Sequence, residues 1–176
     1  MGHRKHRQQG PRSVSCAVLT ISDTRRAATD ASGAHIQRTL RRAGHVVADY
    51  AVIKDEPRRI VSRLKLLSRN PRIRVVLLTG GTGLGRRDST YEAVSGLLDK
   101  RLDGFGELFR ALSYRSIGSA AMLSRAVAGV YRGLAVFSMP GSPSAVRLAM
   151  RRLVLPELGH VAGLLAPAPR RRRHGS

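Results

Sequence analysis

Apolar residues recur along this chain with the spacing of strands in some segments and with the spacing of helices in others. The two kinds of segment alternate. Apolar runs typical of buried strands occupy residues 14–21, 45–53 and 73–79. Between them, residues 32–43 and 56–69 carry apolar side chains at helical spacing, and Gly44 is placed to end the first of these helices. The order strand, helix, strand, helix, strand predicts an α/β protein whose mostly parallel sheet is covered on both faces.

The second half of the chain predicts a hairpin and further helices. Residues 130–131 and 134–139 flank Arg132-Gly133, which is typical of a two-residue hairpin turn, so one antiparallel strand is expected. Ser89 and Glu92 fit the S-x-x-E capping box at the start of a helix. Further helices are expected at 108–112, 120–128 and 145–155.

The length of 176 residues suits one well-buried domain. Residues 1–12 and 166–176 are polar and rich in arginine or proline, and we expect both to be disordered basic tails. A single domain is therefore predicted at 13–165.

The formal net charge of +21 raises the question of nucleic-acid binding. Many basic residues lie in the two ends and the others are scattered over predicted helices. The aromatic content of 4% also leaves few side chains to stack on bases. We interpret the charge as a solvated, arginine-rich surface and expect only weak, salt-dependent polyanion binding, with no specific nucleic acid.

A single cysteine, Cys16, lies in the first apolar run, where a small core residue is expected. One cysteine excludes an intramolecular disulfide and fits a reducing compartment. No apolar run approaches the ~20 residues that a membrane span needs. The basic start of the chain is not followed by a signal-peptide core. We therefore expect a cytoplasmic protein with no membrane contact.

A glycine-rich loop follows the third predicted strand. It comprises Thr79-Gly80-Gly81-Thr82-Gly83-Leu84-Gly85-Arg86-Arg87-Asp88. Glycine allows backbone N–H groups to approach a ligand closely, and successive N–H groups before a helix bind anions. The loop matches neither the Walker A nor the dinucleotide-binding motif. It is either a tight strand-to-helix turn or a phosphate site, and Arg86-Arg87-Asp88 favours the phosphate site.

Two aspartates near strand ends, Asp55 and Asp88, are each either a helix cap or a cation ligand. If the sheet is parallel, both carboxylates could face one Mg²⁺, which prefers hard oxygen ligands. Ser22-Asp23 and Pro140-Gly141-Ser142-Pro143 also lie at predicted strand ends, where ligands bind in such sheets. Ser124-Arg125 is either helix interior or a phosphate grip. The six histidines show no metal-ligand spacing.

These motifs together resemble the MoaB/MogA family of molybdopterin-binding proteins of molybdenum cofactor biosynthesis, and in particular its MoaB branch. The resemblance covers residues 14–164. It rests on Leu78-Thr79-Gly80-Gly81-Thr82-Gly83, Arg87-Asp88 with Thr90 and Glu92-Ala93, Gly104-Phe105-Gly106-Glu107, Leu123-Ser124-Arg125-Ala126, Ala128-Gly129 and Pro140-Gly141-Ser142-Pro143.

The resemblance implies a three-layer α/β/α fold, trimers or hexamers, and an adenylyltransferase. The terminal phosphate of molybdopterin would attack the α-phosphate of Mg-ATP, giving adenylyl-molybdopterin and pyrophosphate for a molybdenum-insertion enzyme. Asp55 and Asp88 would carry Mg²⁺ and act in catalysis. The substrate contacts expected are Ser22, Asp23, Thr79, Gly80, Gly81, Thr82, Gly83, Glu92, Ser124, Arg125, Pro140, Gly141 and Ser142, with Ser124 and the Gly141-Ser142 turn on the pterin.

One departure from the family pattern concerns the start of a helix. The family's adenylyltransferases usually read Asp-x-Thr-Pro-Glu, and Tyr91 stands here in place of proline. Proline at that position favours helix initiation and has no chemical role. Some members of the MoaB branch lack the two acids and resemble inactive proteins. A non-catalytic molybdopterin carrier or scaffold is therefore the alternative, although both acids are present in this chain.

Overall fold

The computed structural model describes residues 10–166, and in this range the predicted alternation of strands and helices is confirmed. One mixed sheet has the strand order β2-β1-β3-β6-β5-β4. Its strands are β1 (Ser15–Ile21), β2 (Val46–Ile53), β3 (Val75–Thr79), β4 (Lys100–Arg101), β5 (Val127–Tyr131) and β6 (Leu134–Met139). Strands β2, β1, β3 and β6 run parallel, while β5 is antiparallel to β6 and to β4.

Helices cover both faces of this sheet. They are α1 (Ala31–Arg42), α2 (Pro57–Ser68), α3 (Thr90–Ser95), α4 (Asp103–Ile117), α5 (Pro143–Ala149) and α6 (Leu155–Leu164). On one face, Ile36 of α1 and Phe109 of α4 belong to the same buried cluster as Leu158 of α6. On the other face, Leu64 of α2 and Val94 of α3 pack against the sheet. The three-layer α/β/α fold is thus confirmed.

The predicted hairpin is present between β5 and β6. Arg132 and Gly133 both have positive φ, at 48° and 78°, as the tight turns that match strand twist require. Tyr131 of β5 lies opposite Leu134 of β6, so two residues form the connection. The hairpin therefore reverses the chain and adds β5 as an antiparallel strand.

Two predicted helices differ from the structure. The segment at 108–112 belongs to the longer α4, which begins at Asp103. The segment at 120–128 is not an α-helix, because a 3₁₀ turn (Gly118–Leu123) is followed by β5. Small apolar residues such as Ala126 and Ala128 satisfy either period, so the pattern alone did not exclude a strand. Strand β4 consists of only two residues, both of them exposed, so no apolar pattern in the sequence predicted it.

The last helical segment is longer than the predicted 145–155. Helix α5 continues through a π-helical stretch (Met150–Val154) directly into α6. Pro156 lies in the first turn of α6, where its ring conflicts with the carbonyl group four residues earlier. A locally widened turn accommodates such a residue. We infer that the π-helical stretch lets the helix pass Pro156 without a break.

The predicted tails fall largely outside the described residues, since residues 1–9 and 167–176 are not described. Gly10 lies directly beside Gly163, since a Cβ built on Gly163 would be 3.3 Å from the Cα of Gly10. Cys16 is fully buried, as predicted for a core residue, and burial raises the pKa of its thiol to about 12. Within residues 10–166, no helix is long and apolar enough to cross a membrane.

A buried carboxylate, Asp30, fixes the start of α1 against the sheet. It accepts hydrogen bonds from the Thr20 hydroxyl (2.5 Å), the Tyr50 hydroxyl (2.8 Å) and the backbone N–H of Gly33 (2.9 Å). Asp30 is only 2% exposed, and a buried charge is tolerated only when donors surround it. Asp30 therefore caps α1 through the Gly33 N–H.

Removing the phenolic hydroxyl should weaken this network. We expect Tyr50→Phe to lower the free energy of unfolding by about 1–2 kcal/mol, because one donor to a buried carboxylate is lost. Tyr131→Phe is the control, since no residue within 10–166 bonds the Tyr131 hydroxyl. Urea denaturation measures both. Equal stability of the two variants would contradict the assignment.

The same variant should change the pH dependence. Burial, together with the hydrogen bond to Asp30, raises the pKa of Tyr50 above its ordinary value of 10.0. A raised folded-state pKa contributes stability that is present below pH 10 and is lost as pH rises above it. Wild type should therefore lose stability more steeply than Tyr50→Phe above pH 10.

Candidate functional site

The parallel strands end side by side. Ile21 of β1 pairs with Ile53 of β2, and Thr79 of β3 pairs with Thr20 and with Met139 of β6. The loops that follow β1, β2, β3 and β6 therefore begin at one edge of the sheet and enclose a cleft of about 480 Å³. The cleft is lined by Ile21, Ser22, Asp23, Thr24, Arg25, Asp55, Gly80, Gly81, Thr82, Gly83, Arg87, Asp88, Leu123, Ser124, Pro140 and Gly141.

The loop after β3 needs glycine at its first two positions. Gly80 and Gly81 have φ of 104° and 62°, in the region that side chains disfavour. A Cβ at Gly80 would collide with the carbonyl oxygen of Ile21, and one at Gly81 with the Asp55 carboxylate. Both glycines therefore allow the loop to cross closely over the neighbouring strand ends.

This loop presents free backbone donors. The N–H of Gly80 donates to the Met139 carbonyl (3.1 Å), and that of Gly85 donates to Asp88 (3.0 Å). The four N–H groups between them, of residues 81–84, have no acceptor within residues 10–166. Successive free N–H groups form an anion-binding concavity. The loop can therefore hold phosphate.

Asp55 does not cap the helix that follows it, because Glu56 is the N-cap residue of α2 and the Asp55 carboxylate bonds instead to residues at the start of α3. Its Oδ1 accepts hydrogen bonds from the Ser89 N–H (3.2 Å), the Ser89 hydroxyl (2.8 Å) and the Thr90 hydroxyl (3.3 Å). The carboxylate thus caps α3 from another loop. Its Oδ2 has no donor among the described residues, and Asp55 lines the cleft while being only 9% exposed. One oxygen supports the helix and the other is available to a ligand.

The predicted capping box at the start of α3 is wrong. Ser89 occupies the N-cap position but makes no side-chain cap, because its hydroxyl donates to Asp55. Glu92 does not bond back to Ser89 and instead pairs with Arg125. Both side chains thus bond to charged side chains of distant segments and not to the neutral backbone N–H groups of a capping box.

Asp88 lies against the second half of the glycine loop, next to Gly83 and Gly85. Its Oδ2 accepts the Gly85 N–H, and its own N–H donates to the Gly85 carbonyl (2.9 Å). A Cβ at Gly83 would lie 2.6 Å from the same carboxylate, so the loop fits tightly around Asp88. Asp88 caps no helix, and its Oδ1 has no donor among the described residues.

The carboxylates of Asp55 and Asp88 suit a hard cation. Both residues line the cleft, and each has one carboxylate oxygen that no described donor uses. Residues 10–166 contain no cluster of three or more histidine, cysteine or acidic side chains that could hold a metal. Mg²⁺ does not need such a cluster, since it is commonly held by one or two carboxylates together with water and phosphate oxygens.

Ser22 and Asp23 organise the loop after β1. The Ser22 hydroxyl accepts the N–H groups of Thr24 (3.3 Å) and Arg25 (3.1 Å). Asp23 accepts the Asp55 N–H (3.2 Å) with one oxygen and the Arg87 guanidinium (2.7 Å) with the other. Asp23 therefore connects three loops. These contacts leave its carboxylate engaged with the protein itself.

The residues after β6 form the facing wall. The Thr79 hydroxyl donates to the Pro140 carbonyl (3.1 Å), and the Ser32 hydroxyl donates to the Gly141 carbonyl (2.9 Å). Ser142 caps α5 by accepting the Ala145 N–H (3.3 Å). Thr79, Pro140, Gly141 and Ser142 thus fix the shape of this wall.

Arg25, which the sequence did not single out, lines the cleft and donates through Nη1 to the Gly141 carbonyl (3.2 Å). The only available signal was its position two residues after Asp23. Arg87 lines the cleft as well, and its side chain is 76% exposed. Both guanidinium groups are placed to meet an anionic ligand, which planar donors bind well.

A second cavity, of about 720 Å³, meets the cleft at Ser124 and Pro140. No described acidic residue lines it. Burial, followed by the charges of Arg38, Arg147 and Arg42, lowers the pKa of His35 in its wall. Its polar lining consists of His35, Thr39, Ser113, Ser116, Ser124, Ser142, Ser144, Arg147, Arg151 and Arg152. The rest of its lining is apolar and includes Phe109, Leu148 and Met150, so the cavity can accept a group larger than phosphate that has both apolar faces and polar edges.

Arg125 and Glu92 lie beside the glycine loop and outside the cleft lining. Arg125 donates through Nε to the Thr82 carbonyl (3.0 Å), through Nη2 to the Gly83 carbonyl and through Nη1 to Glu92. Its guanidinium carbon lies 4.9 Å from the centre of the Tyr91 ring. The hydrogen bond from Arg125 lowers the pKa of Glu92.

The fold and the site define an α/β/α protein that can bind a phosphorylated ligand at the ends of parallel strands. The sequence profile of the family described as "Probable molybdopterin binding domain" matches residues 17–160. The "Molybdenum cofactor biosynthesis protein B" of Halalkalibacterium halodurans is 53% identical over 162 residues, which are 92% of this chain and 95% of the relative.

Solved structures of similar proteins support the same family assignment. A crystal structure of a molybdenum cofactor biosynthesis protein B has a TM-score of 0.86 and 51% identity, with 89% of this chain and 98% of the other covered. The "tungsten cofactor synthesizing protein MoaB" of Pyrococcus furiosus has a TM-score of 0.77 and 36% identity, with 86% and 96% covered. The chain therefore belongs to the MoaB/MogA family of molybdopterin-binding proteins, in its MoaB branch. Its role lies in molybdenum cofactor biosynthesis.

The backbone conformation of the glycine loop can be tested by adding one methyl group at Gly81. We expect Gly81→Ala to lower the free energy of unfolding by at least about 1–2 kcal/mol, the strain of a left-handed residue, since the new Cβ also meets Asp55. It should also weaken pyrophosphate binding. Gly104→Ala is the control, because a Cβ there meets nothing within 4 Å. Urea denaturation and calorimetry measure both, and wild-type behaviour of Gly81→Ala would contradict this description of the loop.

Proposed function

We propose that the protein is a molybdopterin adenylyltransferase. The terminal phosphate of molybdopterin attacks the α-phosphate of ATP, and adenylyl-molybdopterin and pyrophosphate are released. The observation that carries this proposal is the cleft itself. Asp55 and Asp88 reach it from loops after different strands, beside a run of free N–H groups. Carboxylates and amide donors around one small cleft suit the transfer of a charged phosphoryl group.

The two connected cavities suit the two parts of the reaction. We assign the phosphates of ATP and molybdopterin to the cleft, against the loop N–H groups and the guanidinium groups of Arg25 and Arg87. We assign the pterin ring to the larger cavity, whose serine hydroxyls match the polar edges of the ring. Ser124 lies at the junction of the two. The phosphate arm of molybdopterin would cross there.

Adenylyl transfer requires mainly that the protein align the two phosphates and neutralise their negative charge. The attacking phosphate is already anionic, so no side chain has to remove a proton. The N–H groups of residues 81–84 would donate to phosphate oxygens, and Arg25 and Arg87 would add positive charge. Asp55 and Asp88 would hold Mg²⁺, which when bound neutralises charge on the triphosphate.

The role of Asp88 can be separated from binding. We expect Asp88→Asn to reduce adenylyl transfer by about 100-fold or more, as loss of an electrostatic contribution to the transition state does elsewhere, while molybdopterin binding survives. Asp103→Asn, an exposed change on α4, is the control. Mass spectrometry of the pterin and pyrophosphate release measure the reaction. Wild-type turnover by Asp88→Asn would remove the proposed role.

A non-catalytic molybdopterin carrier is the second candidate. One observation favours it: Asp55 already has a structural role, since its carboxylate caps α3. The same assay separates the two candidates. Wild-type protein that binds molybdopterin but releases no pyrophosphate with Mg-ATP would be a carrier, and it would then pass the pterin to a molybdenum-insertion enzyme.

We further propose that the protein acts as a homo-oligomer, a trimer or a hexamer. Large apolar side chains are exposed together at the end of α4 and in the 3₁₀ turn that follows. They are Tyr114, Ile117, Met122 and Leu123, which are 54–76% exposed. Exposed apolar side chains that lie this close together in the chain are typical of an interface, and a second copy of the chain is the occupant we propose.

A charge placed in this surface should disrupt the assembly. We expect Met122→Glu to lower the sedimenting mass towards that of the monomer, because association would bury an unpaired carboxylate. Leu66→Glu is the matched control, since Leu66 is 55% exposed on α2, in the opposite layer. Sedimentation velocity measures both variants. An oligomer that tolerates Met122→Glu but not Leu66→Glu would place the interface elsewhere.

A further inference from the structure

We propose that Arg125 is a positioning residue that aims the N–H groups of the glycine loop at the ligand, and that it does not bind phosphate itself. Its partners are two loop carbonyls and Glu92. The inference rests on the proposed function only in taking phosphate as the ligand. It reassigns Arg125 and Glu92, which the sequence placed among the substrate contacts.

Peptide geometry connects the carbonyls to the donors. In a trans peptide the C=O of one residue and the N–H of the next point in opposite directions, and residues 10–166 contain no cis peptide. Arg125 holds the carbonyls of Thr82 and Gly83. The N–H groups of Gly83 and Leu84 therefore point away from Arg125. Because Gly83 lines the cleft and Arg125 does not, this direction orients the Gly83 N–H for a ligand in the cleft.

The guanidinium group is itself fixed on its outer side. Glu92 accepts from Nη1, and a second contact joins its other oxygen to Nη2 at 3.4 Å. Tyr91 lies against the guanidinium plane, an arrangement that stabilises a cation. The Arg125 side chain is only 20% exposed. Its N–H groups are therefore directed to the protein, and they leave little capacity for a ligand.

Three segments meet at this residue. Arg125 lies two residues before β5, Glu92 and Tyr91 belong to α3, and the two carbonyls belong to the loop after β3. A planar guanidinium group can bond two carbonyls and a carboxylate at once, whereas a lysine ammonium group is a compact point charge. The pattern thus depends on arginine specifically and not only on positive charge.

Glu92→Gln separates positioning from direct binding, because the two roles predict opposite signs. If Arg125 bound phosphate, removing its carboxylate partner would free the cation and strengthen binding. If Arg125 positions the loop, the loss of its anchor should weaken ATP and inorganic pyrophosphate binding by about 3- to 10-fold, the effect of weakening one charged hydrogen bond. Isothermal titration calorimetry at fixed ionic strength measures both ligands.

Arg125→Lys provides the second test. We expect it to weaken pyrophosphate binding by about 10-fold or more, although the charge is retained, because a lysine cannot hold both carbonyls. Arg125→Ala should be partly rescued by millimolar guanidinium ion, but not by sodium chloride at equal ionic strength. Arg115→Lys, an exposed change on α4, is the control, and thermal denaturation checks that each variant is folded.

The outcomes are distinct. Tighter binding by Glu92→Gln, wild-type binding by Arg125→Lys, or no pyrophosphate binding by wild-type protein would each overturn the inference. Weaker binding by both variants, with guanidinium rescue of Arg125→Ala, would support it. This holds even if wild-type protein forms no adenylyl-molybdopterin, in which case the proposed function fails and the positioning role of Arg125 remains.

Discussion

The alignment of the parallel strands is the constraint on which the site depends. Ile21 lies opposite Ile53, and Thr79 lies opposite Met139, so four loops start from one line. Strands β1, β3 and β6 are buried inside the sheet and their apolar faces fix their register, whereas β2 is a half-exposed edge strand that is held by its pairing with β1. A shift of one strand by two residues would move its loop by about 7 Å. Asp55 and the glycine loop would then no longer share a cleft.

Charged side chains near the cleft are used largely to shape the backbone. Asp55 caps α3, Asp23 holds the Asp55 N–H, and Arg125 holds two carbonyls of the glycine loop. Each of these side chains bonds to a backbone N–H or C=O group of a loop and so holds that part of the loop in place. Such supports keep a site close to its productive geometry. Within residues 10–166, the N–H groups of residues 81–84 are left without a protein acceptor, and a phosphate can bond to such groups.

Local motifs and tertiary contacts compete at the start of α3. Ser89 and Glu92 have the spacing of a capping box, yet each bonds to a partner more than 30 residues away in sequence. A charged partner, here the Asp55 carboxylate or the Arg125 guanidinium group, forms a stronger hydrogen bond than the neutral backbone N–H of a capping box does. These distant partners reach α3 only because β2 and β5 bring their loops to it. The motif was correct about where the helix begins and wrong about what holds it.

The sequence by itself determined the layered α/β fold, the hairpin, the glycine loop and the candidate residues at strand ends. Hydrophobic periodicity, the positions of glycine and the order of the elements can all be read from the residues along the chain. Only the tertiary structure decided which side chains face a ligand and which support the backbone. It gave Asp55 one oxygen for α3 and one for the cleft, turned Arg125 away from the cleft, and brought Arg25 into it. The physical reason is that a hydrogen bond depends on distance and direction between atoms from remote segments, and residue order does not contain that information.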